Sequence, residues 1–376
     1  MATTLLNPTQ VAKEALIVLE NEMVFGNLVH RTFSSEYKKV GDTVLIRKPH
    51  EFGTVHDFAS SGTVTAQTIV ESSVAVILNK LNDITFPITA KELSLNIVDF
   101  KEQTIVPAMR AHAQAIDAAI AAQYVNIAAH YPVSATPAVG DIAGIRTQLN
   151  LNKVPFGDRA VVLHPQTEQA YIVLDAFLHA EKRGDTKALK EASMGRVFGM
   201  DWYMDQNIPI HTATDCATNP ATLGAAATVG ATVIKVIGAT STSATIPVGD
   251  VLKISGELND KGHVVTTAAT LNAGSASVTI APAIQVGGVA SAATITWQET
   301  HKANLALHRN AIALVTAPLE APLSGQKADV VNYKGISCRV VYDYDHTVKT
   351  NNISIDILFG VKTLDRELAC RLCDAR

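Results

Sequence analysis

Apolar residues recur at intervals of three and four in two stretches of the first 130 residues, which is the spacing of one face of an α-helix. Asn7-Pro8-Thr9 predicts the start of the first helix, with Thr9 as its cap. The second pattern, over 101–130, is alanine-rich and predicts a rod of roughly 35 Å from Pro107 onward. The predicted buried faces are Val11, Ala15, Leu16, Leu19 and Met23 in the first helix, and Met109, Ala113, Ile116, Ile120, Tyr124 and Ile127 in the second.

Alternating and β-branched runs predict strands on both sides of the long helix. Residues 44–48 and 74–78 form one predicted pair, and the polar segment between them, residues 50–67, predicts an extended hairpin arm. Near the end of the chain, residues 338–343 and 353–361 flank the polar DYDHTVKTNN and predict a second hairpin. Between these pairs the sequence predicts a helix over 139–150, a strand over 159–163, a helix starting at Pro165 and an edge strand over 208–210.

The stretch from Met204 to Gln298 has a different character, because its only aromatic residue is Trp297. Five or six short β-branched runs, ATVIKVI, ATIPV, DVLKIS, HVVTT, SVTIAP and ATITW, lie between residues 223 and 298. Short strands at such regular spacing predict a small barrel or sandwich, and an exposed low-complexity linker is the alternative. The later strands need partners from before this stretch, so the sequence predicts a β domain, residues 223–298, inserted into one parent domain.

Composition narrows the class of protein. A chain of 376 residues suggests two or three compact units, and 47% hydrophobic residues with 18% charged residues and a mean hydropathy of +0.17 make it unusually apolar. The excess apolar surface would be buried in a bulky interior or in the interfaces of a large obligate assembly. The net charge of −4 argues against direct readout of nucleic acid. Without a secretory signal pattern or an uninterrupted apolar span, the N-terminus predicts a cytosolic protein outside the membrane.

Motifs of catalysis and cofactor binding are missing from the sequence. The chain has no phosphate-binding P-loop, nucleophile elbow, H-E-x-x-H zinc helix or well-placed dinucleotide fingerprint. Asp343, Asp345 and His346 have side chains that could ligate a metal ion. Alternating Asp residues at a hairpin turn are more commonly a solvated loop, which is the alternative.

Cysteines and histidines offer two further candidates. The four cysteines do not form a disulfide framework. Cys370 and Cys373 have zinc or redox spacing, and two chains could combine their pairs at a symmetry axis; a reduced pair is the alternative. His301 and His308 have no nearby carboxylate dyad and are expected to be ordinary surface or interface histidines.

One last set of residues could act as an acid and a base. Asp201, Asp205 and His211 lie close together in the sequence, around Trp202, and a solvated turn is the alternative. Nothing beyond proximity favours catalysis there. The sequence therefore indicates no catalytic, cofactor-binding or metal-binding residue, and it predicts no cofactor and no enzyme activity.

The order of these parts resembles the major capsid proteins of tailed bacteriophages with the Hong Kong 97-type (HK97-like) fold. More narrowly, it resembles the coat proteins of Salmonella podoviruses, which carry an inserted β-barrel domain. The nearest local matches are GMDWYMDQNIPIHTAT, GDVLKISGE and NAIALVTAPLEAP. The insertion is shorter here, so its intersubunit contacts do not carry over. The resemblance implies an N-terminal arm (1–40), a first core part with extended β arm (41–80), spine helix (about 98–130) and axial α/β region (about 135–222), the inserted domain (223–298) and the rest of the core (299–376).

The resemblance also implies a function. Copies of the chain would self-assemble into pentamers and hexamers that close an icosahedral shell around phage double-stranded DNA, contacted without sequence readout. A scaffolding protein and a portal are the further partners it implies, with assembly in the host cytoplasm and a final place in the virion capsid. Two alternatives remain: an HK97-fold nanocompartment shell that packages an enzyme, and, more distantly, a metal-dependent enzyme or an adhesin with a β module.

Overall fold

The structure, a computed structural model, combines helices with strands, in agreement with the predicted α+β class. The segment 50–67, where the extended hairpin arm is predicted, lies outside the described residues. The chain divides into two compact units, one of Met1–Ile17, Arg31–Ala108 and Ala313–Leu364 and the other of Val18–His30, Met109–Ile312 and Asp365–Arg376. The structure describes residues 8–31, 43–48, 68–69, 71–89, 104–134, 136–178, 194–214, 221–238, 245–257, 262–272, 274–285, 288–322, 327–333, 335–348 and 350–375.

The first helix follows its predicted pattern with one difference. It begins at Pro8, so Thr9 lies inside the helix and the prediction of Thr9 as the cap is wrong. Proline at the first helical position has no N–H to leave unpaired and a φ angle already suited to a helix. All five residues of the predicted face are buried. The described helices are α1 (Pro8–Glu22), α2 (Phe25–Leu28), α3 (Val106–Ala121), α4 (Val139–Leu151), α5 (Pro165–Ile172) and α6 (Asp175–Leu178).

The long helix is shorter than predicted. Helix α3 ends at Ala121, a 3₁₀ helix continues over Ala122–Asn126, and His130–Pro132 is already a strand, so the prediction of a helix reaching residue 130 is wrong. After Ala122 the alanine-rich run gives way to Gln-Tyr-Val-Asn, whose helix propensity is lower. Pairing of the following strand with a neighbour then favours the extended backbone.

Strands make up most of the rest of the described chain. Both predicted strand pairings are confirmed, since residues 43–48 pair antiparallel with 72–77 and residues 339–345 pair antiparallel with 350–356. The strands are β1 (Thr43–Lys48), β2 (Ser72–Ile77), β3 (Lys80–Thr89), β4 (His130–Pro132), β5 (Arg159–Leu163), β6 (Arg196–Val197), β7 (Met200–Met204), β8 (Ile210–His211), β9 (Ala221–Leu223), β10 (Val233–Ile237), β11 (Thr245–Ile246), β12 (Val251–Ile254), β13 (Gly262–Thr267), β14 (Ala269–Thr270), β15 (Ser275–Ala281), β16 (Thr294–Trp297), β17 (His301–His308), β18 (Ile312–Ala317), β19 (Lys327–Tyr333), β20 (Ile336–Asp345), β21 (Thr350–Thr363) and β22 (Ala369–Asp374).

The first unit is built from a β ribbon and a five-stranded sheet. The sheet has the order β18-β21-β20-β19. Strand β3 pairs with β21 over ten residues, on the edge of β21 opposite to β20. Strands β1 and β2 form the ribbon, and Val44, Ile46 and Val76 on its inner face pack against Ala313 and Val315 of β18. The strict alternation of buried and exposed residues along β1 is that of a strand with one covered face.

The second unit contains a seven-stranded sheet with the order β4-β22-β17-β5-β7-β6, with β8 beside β17. Strand β5 is buried along its whole length, and β17 is buried at all eight positions, because both faces of the central strands are covered. Helix α4 covers one face: Ile142, Ile145 and Leu149 pack in one cluster with Cys370 and Leu372 of β22. This is the predicted small α/β region.

The start of α4 depends on one buried carboxylate. Asp141 accepts hydrogen bonds from the Ser134 hydroxyl at 2.7 Å and from the Ala138 backbone N–H at 3.0 Å. We expect Asp141→Ala to lower the free energy of unfolding by about 1–2 kcal/mol, because it leaves the N–H of Ala138, the N-cap residue, and the Ser134 hydroxyl without their acceptor. Urea unfolding followed by tryptophan fluorescence measures the change. A loss below about 0.3 kcal/mol would show that the cap contributes little.

Strands of the region 221–297 close into a six-stranded barrel with the order β10-β15-β13-β12-β16-β9. Its core contains valine, isoleucine and leucine side chains around Trp297, which is buried. Five of the six predicted runs form barrel strands. The run ATIPV does not: Thr245–Ile246 forms a separate pair with Ala269–Thr270, and Ala221–Leu223 supplies the sixth barrel strand.

Candidate functional site

The candidate residues of the sequence do not meet in one active site. Asp345 is half-buried and accepts hydrogen bonds from the backbone of Thr347 at 2.8 Å and of Val348 at 3.4 Å, which lower its pKa. These bonds close the turn of the β20–β21 hairpin. In the described part of the chain, no three His, Cys, Asp or Glu side chains come close enough to hold a metal ion.

The two C-terminal cysteines lie in the interior of the second unit. Cys370 packs into the core beside α4, and Cys373, three positions along the same strand, points to the opposite face of the sheet. Both are almost fully buried, and burial raises the pKa of Cys370 and raises that of Cys373 to about 12. A metal or redox pair, within one chain or shared across a symmetry axis, is therefore wrong: the thiols are separated by the sheet and covered by protein.

Asp201, Asp205 and His211 point to different partners. Asp201 lies 3.9 Å from Arg196, and Asp205 accepts from the backbone and side chain of Asn207 at 2.8 and 2.9 Å. His211 contacts neither aspartate. The acid–base set of the sequence does not form, because β7 and β8 direct these side chains apart.

His301 and His308 are buried inside the single chain, so the expectation of ordinary surface or interface histidines is wrong. They begin and end β17, a central strand that is covered on both faces. His308 accepts a hydrogen bond from the Asn310 backbone at 3.2 Å and so caps the next turn. His301 donates through Nδ1 to the Glu299 carbonyl at 2.7 Å, and burial lowers its pKa to about 4.

A buried polar cluster lies where the barrel meets the seven-stranded sheet. Asp250, next to barrel strand β12, is 2.7 Å from Nε2 of His211 and accepts from the Thr214 backbone at 3.2 Å. On the other side of the imidazole, Nδ1 of His211 lies 3.0 Å from the Tyr124 hydroxyl. The imidazole of His301 stands 5.3 Å from that of His211. The cluster thus joins the 3₁₀ helix, β8, β17 and the barrel through the buried side chains of His211, Asp250 and His301 and the half-buried Tyr124.

Arg371 is the charged centre of this region. It is fully buried, donates through Nη1 to the Gly249 carbonyl at 2.8 Å, and lies 5.0 Å from the centre of the Tyr124 ring. Burial lowers its pKa to about 10, so the guanidinium stays protonated at neutral pH, and the carboxylate of Asp250 is its nearby countercharge. Because an uncompensated charge is costly in a protein interior, removal of a group that stabilises this cation is expected to destabilise the fold.

The barrel and the sheet are in close contact at Gly262. Gly262 starts barrel strand β13 against the carbonyl of Ala128 and the imidazole of His130, where a Cβ atom would come within 2.6 Å of both. A cavity beside Gly262, lined also by Ala128, Asn152 and Glu367, measures about 30 Å³. The hydrogen bonds of Asp250 with His211 and of Gly249 with Arg371 therefore connect the barrel with the sheet. Among the described residues, none of the helices is long and apolar enough to span a membrane.

Comparisons with known proteins give a likeness in structure and none in sequence. No protein-family model matches the chain, and no curated protein is significantly similar to it. A solved structure described as Mycobacterium phage Che8 matches with a TM-score of 0.51 at 14% identity, over 93% of this chain and 90% of that one. The capsid structure of the Cyanophage P-SCSP1u matches with a TM-score of 0.50 at 14% identity, over 94% and 88%. Over nearly its whole length, this chain has the fold of a bacteriophage capsid protein.

Proposed function

We propose that this chain is the major capsid protein of a tailed bacteriophage and self-assembles into a closed shell. The observation that carries the proposal is the likeness to a phage capsid structure over 94% of the chain, which leaves little of it for another role. By the same likeness we propose the HK97-type subunit, pentamers and hexamers as the building units, and an icosahedral shell. The proposed role is mechanical, without catalysis.

Exposed apolar residues on the β1–β2 ribbon support assembly. The inner face of the ribbon is covered, yet Leu45 and Ile77 on its outer face are 60% and 55% exposed. A two-stranded ribbon with apolar side chains on both faces is only half buried in a single copy. Contact with a neighbouring copy would cover the second face.

The connection of the barrel to the sheet supports the proposal of an inserted domain. The chain leaves the sheet after β8 and returns to it at β17, and these two strands pair with each other at His211 and His301. The two connections of the barrel therefore lie next to each other on neighbouring strands of the sheet, as they do in an inserted domain. We propose the domain boundaries 1–40, 41–222, 223–298 and 299–376, and a podovirus-like subunit type.

Partners follow from the same proposal. A shell of this class needs a scaffolding protein and a portal, and it forms in the host cytoplasm before it becomes part of the virion. The enclosed DNA would touch the inner wall without sequence readout, which is consistent with the net charge of −4.

The test is sedimentation velocity with electron microscopy on the full chain, expressed alone and together with its neighbouring open reading frames. We expect closed particles of megadalton mass. Particles that contain phage DNA support a virus, whereas particles filled with an enzyme would contradict the virus and point to a nanocompartment. A 40.0 kDa monomer in every preparation would refute the shell itself.

A further inference from the structure

Two phenylalanines lie at the same end of the seven-stranded sheet. Strands β5 and β7 are parallel neighbours, with Ala160 opposite Asp201. The loop before β5 and the turn before β7 are therefore side by side. The loop contains Phe156, and the turn contains Phe198.

Both phenylalanines are held out of the core. Phe156 is 69% exposed and Phe198 is 41% exposed, whereas Phe25, Phe177 and Phe359 are all buried. Burial of a large aromatic side chain is the rule in a folded chain, and adjacent exposed ones mark a contact surface. The loop 152–158 and the turn 197–200 are called the Phe face below.

The turn carries a residue that its backbone disfavours. Val197 pairs with Met200, so Phe198 and Gly199 are the two residues of a tight hairpin, with φ angles of +50° and +78°. Turns with two positive φ angles favour Asn-Gly, and a bulky side chain at the first position is strained. Such strain points to a use for the side chain other than the stability of the subunit.

The loop of Phe156 is fixed in place. Arg159 is buried and donates to the Pro155 carbonyl and to the Asn150 side chain, each at 2.8 Å. Its guanidinium lies 4.8 Å from the centre of the Phe156 ring. An aromatic side chain on a fixed loop loses little conformational entropy when a partner covers it.

Charges of both signs lie around the Phe face. The turns after β17 and before β22 lie at the same end of the sheet, since His308 is opposite Arg159 and Asp365 donates its backbone N–H to Ala311 at 3.2 Å. The loops and turns at this end carry side chains of both signs, so a second copy of the same surface can offer each of them a partner of opposite charge. The charged residues are Lys153, Arg159, Arg196, Arg309 and Arg366 with Asp158, Asp201, Asp365 and Glu367.

We propose that the Phe face packs against a second copy of this chain and is a subunit contact of the shell, with Phe156 and Phe198 as its apolar centre. The inference rests on the proposed function and adds to it a named contact. An apolar centre within a rim of both charges is the anatomy of a protein–protein interface, and a second copy supplies the complementary charges.

The test separates assembly from folding. Phe198→Asn suits the strained turn, so we expect a subunit with an unchanged or higher Tm and a critical concentration for particle formation raised about tenfold or more. Phe156→Ser, outside the turn, is an independent second variant, and the double variant is expected to form no particles. The matched control is Ile210→Thr, which removes an equally exposed apolar side chain, 60% exposed, beside Lys302 at the other end of β17.

The outcomes distinguish the proposed contact from the proposed shell function. Loss of particles in the phenylalanine variants, with Tm retained and Ile210→Thr assembling normally, supports the contact. Normal assembly of the double variant overturns it and leaves the shell function intact. If the wild-type chain forms no particles at all, the proposed function fails and the contact fails with it.

Discussion

Acidification from pH 6.5 to pH 4 is expected to lower the free energy of unfolding of the second unit by about 3 kcal/mol. Burial lowers the pKa of His130 to about 3 and that of His301 to about 4, so both are neutral in the folded state where the unfolded chain binds two protons. Their stabilising effect is complete above about pH 6.5 and is lost as the pH falls towards these values.

Asp117 acts in the opposite direction. Its carboxylate accepts from the backbone of Val24 at 2.7 Å and of Gly26 at 2.9 Å, and burial raises its pKa to about 7. The folded chain therefore keeps a proton that the unfolded chain releases above about pH 4, which stabilises the fold at low pH and fades as the pH rises to 7. For these three groups alone, two protons bound by the unfolded chain and one bound by the folded chain give the free energy of unfolding a slope of about 1.4 kcal/mol per pH unit.

Matched variants separate the two contributions. His301→Gln removes one bound proton from the unfolded state and is expected to reduce the slope by about 1.4 kcal/mol per pH unit. Asp117→Asn removes the opposing group and is expected to steepen the slope by the same amount. Urea unfolding at half-unit pH steps measures this slope for the wild-type chain, His301→Gln and Asp117→Asn. Identical slopes in the three would contradict the assignment of these groups.

Periodicity along the chain predicts those parts of the fold that rest on local patterns. The hairpin of β20 and β21 and five of the six barrel strands match alternating or β-branched runs in the sequence. The barrel strand Ala221–Leu223 has no such run, because three residues carry no period and only closure of the barrel makes them a strand. The same holds for Ala122–Asn126, where a helical pattern continues but the helix does not.

Burial of polar residues is what the sequence cannot predict here. In β17, HKANLALH contains two histidines, a lysine and an asparagine, which suggest a surface strand. All eight are buried because the strand is central in the sheet. Asp250 and His211 are 39 positions apart and Arg371 is 121 beyond Asp250, so no motif spacing connects them. The segment next to His211 is predicted only as an edge strand over 208–210 and Val248-Gly249-Asp250 carries only a turn signal, so tertiary packing alone brings His211 and Asp250 together.

Asp250→Ala is expected to lower the free energy of unfolding by about 3–5 kcal/mol, the range for breaking a buried charge pair. The change leaves the Thr214 backbone N–H and Nε2 of His211 without the acceptor that they share, and it removes the countercharge of Arg371. Arg371 has no route to solvent, and its Nε and Nη2 are unpartnered in the described chain, so an uncompensated cation remains in the interior.

The control variants distinguish the charge from the shape of the side chain. Asp250→Asn keeps one oxygen acceptor and the volume but loses the charge, so its loss should be smaller than that of Asp250→Ala. Asp201→Ala breaks the exposed pair with Arg196 and should cost less than about 1 kcal/mol. If Asp250→Ala costs no more than Asp201→Ala, Asp250 does not tie the barrel to the sheet. A large loss for Asp250→Ala beside a small one for Asp250→Asn would mean that the hydrogen bonds, and not the balance of charge with Arg371, hold the barrel in place.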